Sequence, residues 1–258
     1  MELIDTHSHI YDEAFDDDFE QAVSRARENG VSALVLPGID IASYDRMIAA
    51  ADRLEGYAYP CIGLHPTSVG PSWKEELQFV RDHLGDRRFY AIGEVGLDFH
   101  WSDEFGSEQI RVFEEQIEIA AENDLPLIIH LRDATEQMLR VLEDMKGVPV
   151  RGTMHAFSGS YETYRQYLSY GDFKFGIGGV STYKNAGVAR TIERMSLSDI
   201  ILETDCPWLT PVPHRGERNE SSYVRYIAEK VASIKGITVG EVASVTSAGA
   251  RSLFKLDS

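Results

Sequence analysis

Cysteine is scarce in this chain: Cys61 and Cys206 are its only two thiols in 258 residues, each inside or beside an apolar run. A disulfide framework is excluded, and both read as buried small side chains in a reducing compartment. Long apolar runs are missing as well. No stretch approaches the ~20 residues needed to cross a bilayer, and the first residues show no basic region followed by an apolar segment. They run Met1-Glu2-Leu3-Ile4-Asp5-Thr6-His7, which reads as a core strand carrying a ligand. The cytoplasm is the expected location. Positive charge is the third shortage: 25 Lys and Arg stand against 42 Asp and Glu, for a net charge of −17. Proteins that wrap nucleic acid by charge show a basic stripe, and no dense Lys/Arg block occurs here. Acidic clusters such as Asp16-Asp17-Asp18 read as solvated helix starts. Any nucleic-acid chemistry must be local.

What is present is enough for a full core: 43% hydrophobic and 26% charged residues. Short β-branched runs alternate with segments of helical period. The predicted strands are 3–7, 32–37, 59–65, 90–98, 125–131, 152–157, 172–180 and 199–205. Between them, Phe19, Ala22, Val23 and Ala26 form one apolar helical stripe. Phe113, Gln116, Ile117 and Ala120 form a second, and Met138, Leu139, Leu142 and Met145 a third. Nearly continuous apolar strands suit a parallel sheet buried on both faces. Eight strand–helix units predict an α/β fold, a single (β/α)8 TIM barrel spanning residues 1–258 as one domain; an open doubly wound sheet is the structural alternative. The Pro-rich stretch 207–213 predicts a long loop, followed by helices from about 221 to 256.

The position of the ionisable residues is the informative feature. His7, His65, Glu94, His130, His155 and Asp205 each close a predicted strand, and the carboxyl ends of barrel strands are where active sites form. His7 and His9 are two apart on an extended segment, so their rings project from one face and can share a cation. Asp5 shares that face, where it either orients one of the rings or serves as a buried hydrogen-bond acceptor. His7, His9, Glu94, His130, His155 and Asp205 are too many ligands for one tetrahedral ion. They suit two divalent cations with a bridging carboxylate. Glu94 is the expected bridge, with His7, His9 and Asp205 on one metal and His130 and His155 on the other. Such a site makes a nucleophile from water near neutral pH, and Asp205 can accept the proton. Glu94 and Asp205 are thus the expected catalytic carboxylates. The mixed donors admit Zn, Mn, Fe, Ni or Mg.

These residues resemble the TatD family of metal-dependent deoxyribonucleases, a branch of the amidohydrolase-like barrels. The matching motifs include Asp5-Thr6-His7-Ser8-His9, Gly63-Leu64-His65-Pro66, Gly93-Glu94-Val95-Gly96-Leu97-Asp98 and Ile129-His130-Leu131-Arg132-Asp133-Ala134. His155-Ala156-Phe157-Ser158-Gly159, Glu203-Thr204-Asp205, Pro207-Trp208-Leu209-Thr210-Pro211 and Arg215-Gly216-Glu217-Arg218-Asn219-Glu220 follow in family order. The resemblance implies a nuclease with two divalent cations, often Mg or Mn, acting on DNA ends, with RNA ends a further substrate. It points to single-stranded 3′ ends. It also implies that His65 and Arg132 contact the substrate phosphate. The chain departs from the family pattern at Thr67, where a second His is frequent, at Cys206, where Ala is, and at Ser221, where Pro is usual. No protein partner is implied, and a monomer is expected.

Other residues carry weaker signals. Glu203 shares the inward face of Asp205 and reads as a buried paired carboxylate beside the site. Trp208 and Phe157 lie at the same rim, where they either stack a base or pack under a loop. Gly176, Gly178 and Gly179 read as close-packed strand. His83, His100 and His214 read as helix or loop residues, with His214 and Arg215 candidates to line the cleft. The rival functions are a same-fold amidohydrolase or phosphoesterase acting on a small molecule, and a non-catalytic metal-binding protein.

Overall fold

Alternate residues along the strands enter two different apolar cores, and this parity organises the molecule. The structure, a computed structural model, describes residues 1–256; the last two residues of the expected domain lie outside that range. Eight strands follow in chain order: β1 (Leu3–Asp5), β2 (Val31–Leu36), β3 (Ala58–Pro60), β4 (Ile92–Asp98), β5 (Leu127–Arg132), β6 (Arg151–Met154), β7 (Asp172–Ile177) and β8 (Ile200–Leu202). Leu3, Leu34 and Leu36 face outward, into a large core shared with the helices. Ile4, Ala33, Val35, Tyr59, Cys61, Ile128 and Ile201 form a second core inside the ring of strands. Period-two alternation is what sends neighbours to opposite faces.

The helices are α1 (Phe19–Glu28), α2 (Ile41–Arg53), α3 (Trp73–His83), α4 (Gly106–Glu122), α5 (Thr135–Asp144), α6 (Tyr161–Tyr167), α7 (Val188–Arg194), α8 (Val224–Lys235) and α9 (Val239–Phe254). The three predicted stripes lie on α1, α4 and α5, with Ala22, Val23, Phe113, Ile117, Met138 and Leu142 buried. Helix α9 begins with a capping box between Thr238 and Glu241. It then crosses the amino ends of the strands, where Ser247 Oγ donates to the Glu2 carbonyl and Arg251 pairs with Glu2. Its Ala250, Leu253 and Phe254 close the inner core from that end. Among the described residues no helix is long and apolar enough to cross a membrane.

All strand pairs are parallel and join chain neighbours, β1-β2-β3 and β4-β5-β6-β7-β8. A doubly wound sheet would reverse strand order at a switch point, and no reversal occurs. Two bridges join the segments into the (β/α)8 barrel: Ile62 to Ile92 between β3 and β4, and Ser8 to Cys206 between the continuations of β1 and β8. The second seam is strengthened by backbone bonds from Asp205 N to His7 O (2.9 Å) and His9 N to Cys206 O (3.0 Å).

Several strands stop short of the sequence expectation. Strand β1 ends at Asp5 rather than His7, β3 at Pro60 rather than His65, and β8 at Leu202 rather than Asp205. The reason lies in the backbone, which leaves the ladder to aim side chains over the barrel: Ala156 and Asp205 both have positive φ. Only Glu94 and His130 stand inside regular strand. Close approach there depends on Gly96, at φ +127°, where a Cβ would lie 2.1 Å from the His130 carbonyl oxygen.

Candidate metal centre

At the carboxyl end of the barrel, Glu94 is buried at the centre of a ring of imidazoles. Its two oxygens face two different sets. Oε2 lies 3.0 Å from His7 Nε2 and 3.8 Å from His9 Nε2. Asp205 Oδ1 stands 3.6 Å from each of those nitrogens, which are themselves 3.0 Å apart. Oε1 faces His130 Nδ1 at 2.9 Å, His65 Nε2 at 3.3 Å and His155 Nε2 at 3.4 Å. All six expected ligands, and His65 with them, therefore come together. Their ligand atoms form overlapping groups suited to a cation, His7–His9–Glu94 and His65–Glu94–His130 among them.

The far nitrogen of most rings is held by a partner, which fixes what the near nitrogen can do. The Tyr11 hydroxyl donates to the Pro37 carbonyl, so its oxygen accepts from His9 Nδ1 at 2.8 Å, and the His9 Nε2 lone pair is left facing the cluster. Asp98 accepts from His130 Nε2 at 2.9 Å, and Glu203 from His155 Nδ1 at 3.1 Å. Their near nitrogens, Nδ1 of His130 and Nε2 of His155, therefore face Glu94 Oε1 as acceptor against acceptor, an arrangement that calls for a proton or a cation between them. His65 is the opposite case. Its Nδ1 accepts the Thr67 backbone N–H at 3.1 Å, so Nε2 carries the hydrogen and points inward as a donor. His7 Nδ1 is buried without a partner among the described residues. Lone pairs from His9, His130 and His155 thus converge on carboxylates, a donor set that fits divalent cations.

Electrostatics follow from this crowding. Burial alone would raise the Glu94 pKa, but His65, His7 and His155 outweigh it and hold the carboxyl well below the usual range. Burial would lower His155, yet Glu203, Glu94 and Asp205 lift it to about 10. His7 goes down, from burial and from the His155 ring stacked 3.7 Å away. Asp205 stays low because His155, His9 and His7 overcome the cost of its burial.

Of the two readings of Asp5, the buried acceptor is the one found. Its carboxylate accepts from Thr204 N (2.8 Å) and Thr204 Oγ1 (2.6 Å), and among the described residues no imidazole ring bonds to it. It ties β1 to the segment after β8. Glu203 sits as expected, inside the barrel, and glycine at 176 makes room for it: a Cβ there would lie 2.0 Å from Glu203 Oε2. Arg132 is exposed at the end of β5, without an ion pair among the described residues, and its guanidinium lies 5.4 Å from the centre of the exposed Trp101 ring. Trp208 is half exposed, its ring edge against His9 at 5.1 Å. Phe157 is buried against Phe175. His100 is a loop residue, as expected, and meets Asp133 at 2.6 Å in an exposed contact. His214 stacks on Tyr223 and pairs with Glu217, which holds the loop rather than lining the cleft. Tyr11, Asp98, Thr67 and Trp101 escaped sequence reasoning. The first three share a signal, for each stands two residues after a site residue or, for Asp98, four after Glu94 on the same parity.

A family model described as TatD related DNase matches residues 4–255. The chain belongs to the TatD-related DNase family. An uncharacterized metal-dependent hydrolase of this kind, YabD of Bacillus subtilis (strain 168), is 38% identical over 256 residues, covering 99% of this chain and 100% of the relative. A protein of Erwinia tasmaniensis named 3′-5′ ssDNA/RNA exonuclease TatD is 29% identical, over 94% of this chain and 95% of its own. Among solved structures, the TatD homologue YJJV of Escherichia coli K12 superposes with a TM-score of 0.91 at 25% identity, covering 99% and 98% of the two chains. As a TatD-family hydrolase, the chain carries its His and Glu groups at the mouth of a barrel shared with these relatives.

Proposed function

We propose that the chain is a two-metal phosphodiesterase that removes nucleotides stepwise from single-stranded 3′ ends of DNA, and of RNA by the same chemistry. The observation that carries this reading is the division of Glu94, with Oε2 toward His7 and His9 and Oε1 toward His130 and His155. A carboxylate so divided would hold two cations, one with His7, His9 and Asp205 and the other with His130 and His155. Bound there, divalent cations (Mg or Mn in the working enzyme, with Zn, Ni or Fe also suited to the donors) supply an acidified water and positive charge on the phosphodiester. The remaining work belongs to side chains. Asp205 accepts the proton of the attacking water. His65 donates its Nε2 hydrogen to a phosphate oxygen, with Thr67 fixing the tautomer. Arg132, free of ion pairs among the described residues, grips the phosphate bidentately. Asp98, Glu203 and Tyr11 hold the rings in place.

The polarity rests on the Erwinia relative, whose name states 3′-5′ action on single strands. All six ligands come from one chain, which supports a monomer. A continuous inner core supports one domain over 1–258, and two buried free thiols support a cytoplasmic setting. A mouth without a basic stripe admits an end more readily than a duplex. The test uses a linear single strand labelled at its 5′ end and a closed single-stranded circle, each with Mg or Mn. The expected result is a ladder of shortening products from the first and an intact circle. Efficient cutting of the circle would overturn entry by ends. Activity confined to small phosphoesters or amides would favour a small-molecule hydrolase of the same fold.

A further inference from the structure

Beside the cluster, between the ends of β5 and β6 and the helices α5 and α6, lies an open cavity of about 270 Å³. His155 belongs to both, so the cavity begins where the carboxylate cluster ends. Arg132, Phe157, Ser158, Thr163 and Tyr167 also line it. Tyr167 is fully buried, and its hydroxyl has no hydrogen-bond partner among the described residues. A phenylalanine would fill the same space among apolar neighbours, whereas an unpartnered buried hydroxyl is costly. This hydroxyl has a bond to give, and the residue that carries it forms part of the cavity wall, so a small side-chain shift brings it to a group bound there.

We propose that this cavity binds the nucleoside at the end of the strand, with the Tyr167 hydroxyl as a recognition group; the proposal rests on the phosphodiesterase reading above. Three properties point to that occupant. The first is size. An engineered cavity of about 150 Å³ holds benzene, so this one takes a base with its sugar and not two nucleosides. The second is lining. One aromatic wall (Phe157), the hydroxyl-bearing residues Ser158, Thr163 (its hydroxyl shared with Ser160) and Tyr167, and one arginine suit a ring system that carries polar edges and a single phosphate. A polyanion would need more cations, and an acyl chain fewer hydroxyls. Asp133, also on the lining, has its carboxylate engaged by His100. The third is continuity. A phosphate held by Arg132 near His155 leaves its nucleoside directly at the opening. A cavity for one nucleoside also measures out one unit per cleavage.

The test compares two diesters with one leaving group: thymidine 5′-(p-nitrophenyl phosphate) and methyl p-nitrophenyl phosphate. The quantity read is the ratio of their kcat/KM values in the metal-loaded protein, so a general loss of fold or cation cancels. The wild type is expected to favour the nucleotide. Tyr167→Phe lowers the ratio about three- to tenfold, the worth of one hydrogen bond. Ser158→Trp, which fills the cavity from an exposed position, lowers it further. An unchanged ratio in both variants overturns the proposal. A second arm needs no hydrolysis: thymidine binding to the metal-free protein, followed by saturation-transfer NMR, is expected in the wild type and lost in Ser158→Trp. No thymidine binding by the wild type overturns the cavity. Hydrolysis of neither diester with any cation defeats the phosphodiesterase reading instead and leaves this arm to decide.

Discussion

Two clusters of charge sit on the loops of this barrel, and they are satisfied in opposite ways. Near α1, Arg25 spans Glu220 and Asp18, with Nε 2.9 Å from Glu220 Oε1 and Nη2 2.9 Å from Asp18 Oδ2. Arg218 forks onto the same Asp18 at 2.6 and 2.8 Å. Two guanidiniums meet two carboxylates, and the charge closes within the protein. At the barrel mouth, Glu94 and Asp205 pair only with histidines. Those histidines are in turn tied to Asp98, Glu203 and Tyr11. Four carboxylates are gathered there with only imidazoles as ion-pair partners, and among the described residues no Lys or Arg pairs with either central carboxylate. The first cluster is complete as folded. The second is built to be completed by cations from outside, and that separates a fastening from a reaction centre.

The sharpest way to break this contrast is to make one change at both clusters. Asp205→Asn keeps an oxygen ligand but loses the basic lone pair, so kcat should fall about 10²–10⁴-fold, the usual contribution of a positioned base. Elemental analysis should still find bound cation. Near-wild-type turnover at saturating metal would remove Asp205 from the proton path. The same exchange at Asp18 should leave turnover alone.

Glu203→Gln probes the next layer. The amide still bonds His155 but no longer strengthens it as a donor, and losses of this kind cost about 10–100-fold in cation affinity. Competition against a chelator measures it. Unchanged affinity would mean that Glu203 only fills the barrel.

The smallest effect belongs to the closed network. Asp18 is 30% exposed at its side chain, so Asp18→Asn should cost under about 1 kcal/mol in a denaturant melt at neutral pH. The hydrogen bond from Arg218, with that from Arg25, holds the Asp18 carboxyl below the usual range. A depressed folded pKa contributes stability that is present above the unfolded value, ~3.9, and lost as pH falls toward the folded one. The wild type and Asp18→Asn should therefore converge below about pH 4. A gap that persists in acid would show that packing, not charge, is what Asp18 supplies.

Much of this was legible in the sequence because barrel chemistry is written at strand ends. An apolar run followed by His or Glu marks both the strand and the rim, as at Ile129-His130 and Gly93-Glu94. The outer partners were harder to read. Tyr11 looks like any loop tyrosine until its hydroxyl is seen between His9 and Pro37. Thr67 stood out only as a departure from the family pattern, yet its backbone N–H sets which nitrogen of His65 carries the hydrogen. Asp5 stayed open between two roles: parity places it on the face of His7, and only the closing seam shows that Thr204 claims its carboxylate. The unpartnered Tyr167 hydroxyl has no sequence signature, because a lack of neighbours is a property of packing.

The seam between the continuations of β1 and β8 sets a schedule for assembly. Ser8 and Cys206, which face each other across it, are 198 residues apart in the chain. Ribosomes add ~5–20 residues per second, so ~10–40 s separate the synthesis of His7 and His9 from that of Asp205. Throughout that interval the two histidines lack the strand they lean on, and a chain stopped short of Asp205 cannot close the barrel. A copy ended before Asp205 therefore lacks both the seam and the carboxylate that faces His7 and His9.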